Sequence, residues 1–310
     1  MPFTDGLYRT HFRAMAADHE LVLAGGDDAQ IELAAERAVA DVERIEAKYS
    51  RYREDSVTAR INRAAGGTPV AIDAETAALL RYADACFAQS GGRFDLTSGV
   101  LRAAWDFKRR PPRVPDATVL AAAVARIGWR DVEWSEQSVR LPRVGMEIDF
   151  GGVGKEYAAD RMATICIEAG IAHGCVNLGG DVRVWGGRPD GRPWRVGIRH
   201  PRQPDGVVGG LDVADGAIAT SGDYERYFEV DGRRYCHIID PHTGMPVQAW
   251  QSVSVVAPLA IVAGSYATIA MLLEDAAIAF LREQGVGYLA VASDGSVHGD
   301  GTSGTSAGSG

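Results

Sequence analysis

Between residues 29 and 49, Ile31, Ala35, Ala38, Val42, Ile45 and Tyr49 return every three or four positions while Glu, Arg and Asp fill the intervals. This spacing predicts a helix with one apolar face. It delivers Tyr49-Ser50-Arg51-Tyr52 at its C-terminal end. The same period predicts a second helix over 74–89, stopped by Ser90-Gly91-Gly92, and a third over 116–127. The stop after Gln89 leaves Phe94 and Asp95 in an irregular segment, where ligand contacts concentrate. Alternation then takes over: Val132 and Trp134 against Val139 and Leu141 read as a hairpin, leading into an apolar strand at 146–149. A helix over 155–168 ends at Gly170. Beyond it strands dominate, at 175–178, 182–185, 194–198, 207–213, 227–230 and 233–238, with Asp231-Gly232 as a hairpin turn between the last two. A strand at 253–256, a helix over 265–284 and a hairpin closed by Asp294-Gly295 finish the pattern. Helices and antiparallel strands without a regular strand–helix–strand alternation place the chain in the α+β class.

A 310-residue chain that is 46% hydrophobic can fill one large core or two joined ones. Its net charge of −9, with no dense Lys/Arg block, argues against nucleic-acid partners and anionic membranes, which need clustered positive charge. Cys86, Cys166, Cys175 and Cys236 are scattered without C-x-x-C spacing, so no zinc site, redox pair or disulfide framework is expected. The first residues, Met1-Pro2-Phe3-Thr4-Asp5-Gly6, show no basic and apolar leader and no lipoprotein site, so a cytoplasmic location without a membrane segment is expected. Residues 299–310 are rich in Gly, Ser and Thr and read as a flexible tail.

Candidate chemistry concentrates where the apolar run before Asp149 meets Gly151-Gly152-Val153-Gly154-Lys155 and a helix opens. Glycines let the main chain approach a ligand, and a helix's first turn adds free N–H donors and the positive end of its dipole, so an anion fits there. The spacing matches neither the dinucleotide Gly-x-Gly-x-x-Gly nor the Walker loop, and close packing of strand on helix uses the same small residues. Thr220-Ser221-Gly222 reads as a turn that sets short oxygen-bearing side chains before Asp223. His237 falls in a strand ahead of Asp240-Pro241, where pairing ends and Thr243-Gly244 turns the chain.

Four segments, the Lys155 loop, Asn177-Leu178-Gly179-Gly180-Asp181, Thr220-Ser221-Gly222-Asp223-Tyr224 and the stretch from Tyr235 through His237, Asp240 and Gly244 to Pro246, occur in an order and spacing that resemble the ApbE family. These are the FAD:protein FMN transferases, formerly called thiamine-biosynthesis lipoproteins. Tyr49-Ser50-Arg51-Tyr52 with Arg60-Ile61-Asn62, and Gly91-Gly92-Arg93-Phe94-Asp95, are similar to that family's flavin-contacting segments. The resemblance covers 12–294 as a single flavin transferase domain. It implies a T-fold-like architecture, with FAD in a cleft between a helical lobe and a mainly antiparallel sheet lobe. It also implies transfer of FMN from FAD to a threonine hydroxyl of an acceptor protein, with release of AMP and with Mg²⁺ at the phosphates. Relatives that only hold flavin, or that hydrolyse FAD as a pyrophosphatase, are the alternatives.

By the same resemblance, Met15, Tyr52, Arg93, Phe94, Asp95, Asp149, Lys155 and Ile239 contact FAD, and His237 and Asp223 act at the threonine hydroxyl. Thr268 and the Gly152 carbonyl hold the metal. Blander roles stay open for several: Met15 as a core filler in a strand, Tyr52 as a surface aromatic, Asp149 as a helix cap, and Lys155 as a solvated first-turn lysine. The chain departs from the family at the metal motif, Ala-Asp-x-x-[small or Asp]-Thr, whose Asp is a direct ligand. Here the segment reads Ala263-Gly264-Ser265-Tyr266-Ala267-Thr268, so Gly264 replaces the carboxylate and Ser265 offers at most an uncharged oxygen. Weak Mg²⁺ binding is expected unless the FAD phosphates or another acid supply the charge.

Overall fold

The computed structural model describes residues 3–4, 6–203 and 205–300. Strands β1 (Phe3–Thr4), β2 (Leu7–Ala14) and β3 (Ala17–Ala24) lead to helices α1 (Asp28–Tyr49) and α2 (Val57–Arg63), strand β4 (Val70–Ala71), α3 (Ala74–Gln89) and α4 (Ala117–Val124). The short strands β5 (Glu133–Trp134) and β6 (Ser138–Arg140) precede α5 (Gly154–Glu168), β7 (His173–Leu178), β8 (Asp181–Trp185), β9 (Trp194–Arg199) and β10 (Val207–Val213). Then come β11 (Gly216–Gly222), β12 (Tyr227–Val230), β13 (Arg233–Cys236), β14 (Trp250–Ala257), α6 (Ala260–Leu273), α7 (Ala277–Glu283), β15 (Gly287–Ala292) and β16 (Val297–Gly299).

Nine strands form one sheet in the order β1-β2-β3-β7-β8-β11-β14-β15-β16, antiparallel at every pairing. Helices α1, α5 and α6 pack against one another in sequence and lie on this sheet. The α+β expectation therefore holds. The stripe foreseen on α1 is the buried one: Ile31, Ala35, Ala38, Val42, Ile45 and Tyr49 all face the main core. The sheet's far face carries a smaller cluster built on Val182, Val184, Trp194 and Ile218.

Several local expectations are corrected. The expected strand at 146–149 pairs with no other strand, because the Asn62 side chain takes its hydrogen bonds. Asn62 Nδ2 donates to the Ile148 carbonyl at 3.0 Å, and the Ile148 N–H donates to Asn62 Oδ1 at 2.7 Å. Residues 220–222 are the end of β11 and not a turn. The apolar stretch Ala260–Glu283 has the length and composition of a membrane span, yet it is broken at Glu274 and α6 buries its residues against β11 and β14. Glu274 has φ 47°, its Oε1 accepts from Gln248 N at 2.7 Å, and its carbonyl accepts from Trp250 Nε1 at 2.8 Å, which together end the helix there. The helix expected over 116–127 is the shorter α4. Gly299, expected in the tail, closes β16 opposite Leu289, and 301–310 lie outside the described residues.

One polar cluster ties together the helices that carry the site. Arg44 on α1 grips Glu75 on α3 through both guanidinium nitrogens at 2.7 and 2.8 Å, and Lys48 reaches Glu75 and Asp73 at 2.5 Å each. Tyr157 on α5 donates its hydroxyl to the same Glu75 at 2.7 Å. Burial opposes the Glu75 charge, but Arg44, Lys48 and Tyr157 outweigh it and hold the carboxyl at about 2, below its ordinary 4.5. A depressed acid adds stability above its unfolded value and loses it as pH falls. Glu75→Gln should therefore lower unfolding free energy at pH 7 by about 1 kcal/mol, after allowing for solvent screening of a partly exposed pair. In denaturant titrations at a series of pH values, that gap should close as pH falls from about 4.5 toward 2. A gap that stays constant with pH would show that the charge network does not stabilise this junction.

Candidate active site

The entry to α5 is built by capping. Asp149 Oδ1 accepts from Gly151 N at 3.0 Å and starts a short 3-10 turn, Phe150–Gly152, that feeds the helix. Val153, at the helix cap, supplies no side-chain acceptor, and of the Gly154, Lys155 and Glu156 N–H groups in the first turn of α5 only the last is met among the described residues, by its own carboxylate. Asp149 also pairs with Arg51, whose guanidinium bonds the Tyr52 hydroxyl at 3.0 Å and lies 5.0 Å over the Tyr52 ring. Tyr52 itself is 79% exposed. Phe94 is buried against Gly152, where an added Cβ would stand 3.3 Å from its Cζ. The structure thus brings Tyr52, Phe94, Asp149 and Gly152 together at the mouth of α5.

Lys155 follows, with Nζ 2.7 Å from Asp181 Oδ2 in an ion pair. Asp181 starts β8 directly after the Gly179-Gly180 turn, whose φ values of 59° and 101° favour glycine at both positions. The β2–β3 turn lies beside it: a Cβ on Gly179 would stand 3.3 Å from Ala17 Cβ and 3.8 Å from Lys155 Cδ. Met15 occupies that turn with φ 48° and is not a strand residue as expected. Pairing of β3 with β7, His19 opposite Leu178, sets the two tips side by side next to Lys155.

Glu156 is the residue that sequence reasoning passed over. Its side chain turns inward, is only 8% exposed, and occupies the space beside Gly264 on α6. A Cβ at Gly264 would stand 2.5 Å from Glu156 Cγ and 2.8 Å from Oε1. Glu156 Oε2 is buried without a hydrogen-bond partner, whereas Asp181 Oδ2 has the Lys155 ion pair. Burial and then the Asp181 charge raise the Glu156 carboxyl far above its usual range, and Lys155 offsets this only in part. Asp181 is raised by burial too, against the pull of Lys155 and a bond from the Thr220 backbone. Burial opposes the charge on Lys155, but Asp181 and Glu156 outweigh it and keep the ammonium charged. One turn beyond Gly264, Thr268 Oγ1 lies 2.7 Å from Ser221 Oγ on β11. Ser265 is buried against Tyr82 and Cys86, so the oxygen it was expected to offer lies within the core. Among the described residues no three His, Cys, Asp or Glu side chains converge as a metal cluster. A cation here would rest on the two carboxylates, the Thr268 hydroxyl and oxygens brought by a ligand.

The remaining expected residues divide. His237 stands just past the end of β13, not within a strand, with its N–H bonded to the Arg226 carbonyl at 3.0 Å and Nδ1 buried without a partner. Burial, with the Arg226 and Lys155 charges, pushes its imidazole down to about 4. It is therefore neutral at pH 7, with the Lys155 charge within electrostatic reach. Asp223 is held elsewhere, by a bidentate ion pair with Arg202 at 2.6 and 2.7 Å and a further contact to Arg234 at 3.5 Å. It lines a hollow of about 330 Å³ with Arg202, Arg234 and Gln248, and no interaction among the described residues joins it to His237. Asp95 is spent on structure, accepting from Thr97 N and Oγ1 at 2.6 Å and from Trp129 N at 3.2 Å. Arg93 lies 3.8 Å from Asp240, and Ile239 packs by the Trp105, Phe228 and Tyr235 cluster.

The ApbE family profile matches residues 12–290. An FAD:protein FMN transferase of Klebsiella pneumoniae is 31% identical over 91% of this chain and 83% of its own length. One of Treponema pallidum is 33% identical over 82% and 75%. The solved ApbE protein of Thermotoga maritima has a TM-score of 0.87 and 32% identity, covering 96% of this chain and 97% of that one. The apo flavinyl transferase ApbE of Pseudomonas stutzeri has a TM-score of 0.84 and 26% identity, covering 96% and 95%. The four segments that carried the resemblance all fall within the matched span, and this chain belongs to the ApbE family.

Proposed function

We propose that this chain is an FAD:protein FMN transferase, moving FMN from FAD to a threonine hydroxyl of an acceptor protein. The observation that carries the reading is the pairing of a helix start on α5 that has no side-chain cap with a half-buried, charged Lys155, whose charge reaches a neutral His237. An uncapped helix start with a lysine is a site for pyrophosphate. Relatives sharing about a third of the sequence are named for this transfer.

In the reaction the threonine oxygen bonds to the FMN-side phosphorus while the bond from that phosphorus to the bridging oxygen breaks, and AMP departs with the bridging oxygen. The hydroxyl proton must leave as the new bond forms. Lys155 and the α5 N–H groups hold the pyrophosphate in line and stabilise its charge. Tyr52, exposed at the mouth, gives a ring face for an aromatic part of FAD, and Phe94 walls the approach. His237 accepts the hydroxyl proton. Its free-state value near 4 makes it a weak base, but the bound pyrophosphate places negative charge beside it and favours the imidazolium. Mg²⁺ suits hard oxygens such as the Thr268 hydroxyl and the Gly152 carbonyl, which would hold it, and it would neutralise phosphate charge.

Incubation with FAD, Mg²⁺ and a flavin-acceptor domain should yield AMP and a fluorescent acceptor band in a denaturing gel. AMP without an acceptor would mark a pyrophosphatase, and FAD binding without AMP a carrier. No binding at ~100 µM FAD would remove all three, since even micromolar affinity needs only about 8 kcal/mol.

His237→Ala should lower kcat by about two to four orders of magnitude while leaving FAD affinity within about threefold. With wild type, kcat/KM should hold down to pH 5 and drop as pH falls through about 4, with the kcat limb lying higher. Asp223→Asn should act differently, lowering the melting temperature with little change in kcat, because its partners are Arg202 and Arg234. Loss of turnover in Asp223→Asn with unchanged stability would return Asp223 to the reacting centre.

A further inference from the structure

Around Gly264 the contacts close into a ring. Glu156 fills the space a side chain at 264 would take, and it interacts with Asp181. Asp181 accepts from the Thr220 backbone, Ser221 beside it bonds Thr268, and Thr268 stands one helical turn from Gly264. Within the ring lie two carboxylates, each at least nine-tenths buried: Asp181 Oδ2 is paired with the single ammonium of Lys155 at 2.7 Å, while Glu156 Oε2 is buried without a partner. An uncompensated buried carboxylate is costly, and with Lys155 taken by Asp181 the orphaned Glu156 oxygen points at a missing positive charge.

We propose that Glu156 is a divalent-cation ligand of this chain, reaching from the first turn of α5 into the gap left by Gly264 and acting with Asp181 and Thr268. The absent side chain at 264 is then a requirement of the site and not a loss from it. The inference rests on the transferase reading for the identity of the phosphate-bearing substrate, but the cation site itself is read from Glu156, Asp181 and Gly264. The occupant suited to carboxylate, hydroxyl and carbonyl oxygens is a small hard dication, Mg²⁺ or Mn²⁺.

The test is Mn²⁺ binding followed by electron paramagnetic resonance on the full-length protein, with FAD affinity from flavin fluorescence and melting temperature measured in parallel. Four proteins are compared: wild type, Glu156→Gln, Gly264→Asp, and the double variant Glu156→Gly with Gly264→Asp. Glu156→Gln should weaken Mn²⁺ by about tenfold or more, since a charged oxygen becomes a neutral one of the same shape. Gly264→Asp alone should melt lower and bind Mn²⁺ no better, because its Cβ meets Glu156 at 2.5 Å. The double variant frees that space and should regain Mn²⁺ affinity to within about threefold of wild type, the carboxylate now arriving from α6.

Unchanged Mn²⁺ affinity in a folded Glu156→Gln protein would overturn the assignment and leave the two acids sharing a proton instead. So would a wild type that binds no Mn²⁺. A Gly264→Asp protein that binds Mn²⁺ more tightly than wild type at equal stability would do the same. Because FAD affinity is read separately, a wild type that binds Mn²⁺ but not FAD would instead count against the transferase reading alone.

Discussion

Two buried carboxylates that share one lysine cannot be left to themselves, and the architecture around α5 follows from that constraint. Ionising both Glu156 and Asp181 leaves the pocket one positive charge short, at a cost of several kcal/mol for each unpaired buried ion. Lys155 keeps its proton because of them, and burial holds their values raised because Lys155 offsets it only partly. A pocket in that state is receptive to cations. It also keeps a fixed ammonium at the helix N-terminus, where the oxygens of a phosphate would arrive. On the proposed reading, attraction for metal and for phosphate would come from the same few residues, and each ligand would improve the site for the other.

The sheet makes this arrangement stiff. Six residue pairs join β3 to β7, from His19–Leu178 to Ala24–His173, and so fix the β2–β3 and β7–β8 turns in register beside Lys155. Two non-glycine residues, Met15 and Ala16, take positive φ values of 48° and 62° in the first of those turns. Such conformations cost of order 1 kcal/mol per residue and persist where surrounding structure over-determines them, commonly at ligand sites. From the other side, the Arg44, Lys48, Glu75 and Tyr157 cluster ties α1 and α3 to the second residue after Lys155. The reacting groups are held between a paired sheet edge and a charged helix junction.

Helices with a regular apolar stripe were legible in the sequence, because burial on one face enforces the 3.6-residue period. Thus α1 and α3 come out almost residue for residue. The expected strand before Asp149 failed for a reason no periodicity can show, a long-range bond from the Asn62 amide. The helix over 265–284 broke at Glu274 because that carboxylate caps the chain before β14. At the site, glycines that need positive φ and the lysine at a helix start were readable, since their meaning is local. Asp223 and Asp95 were not separable from ligand groups, because what an acid does depends on which partner reaches it. Arg202 and Trp129 are 21 and 34 positions away.

Glu156 illustrates the same limit from the opposite direction. Reading one position at a time, Gly264 looks like a lost carboxylate, and Glu156 looks like an ordinary first-turn acid. Only their contact joins the two facts. The exchange is also physically reasonable. A glutamate in the first turn of α5 lies at the positive end of the helix dipole and next to Lys155, both of which stabilise its anionic form. A carboxylate carried by α6 at 264 would lie in the second turn of a helix whose N-terminal donors, Ala260 N and Ile261 N, are already taken by Asp160 at 2.8 and 2.9 Å. Moving the acid from one helix to the other keeps a carboxylate in the ring that contains Thr268 and Asp181. The requirement is a charged oxygen at a point in space, and the chain meets it from whichever helix has room.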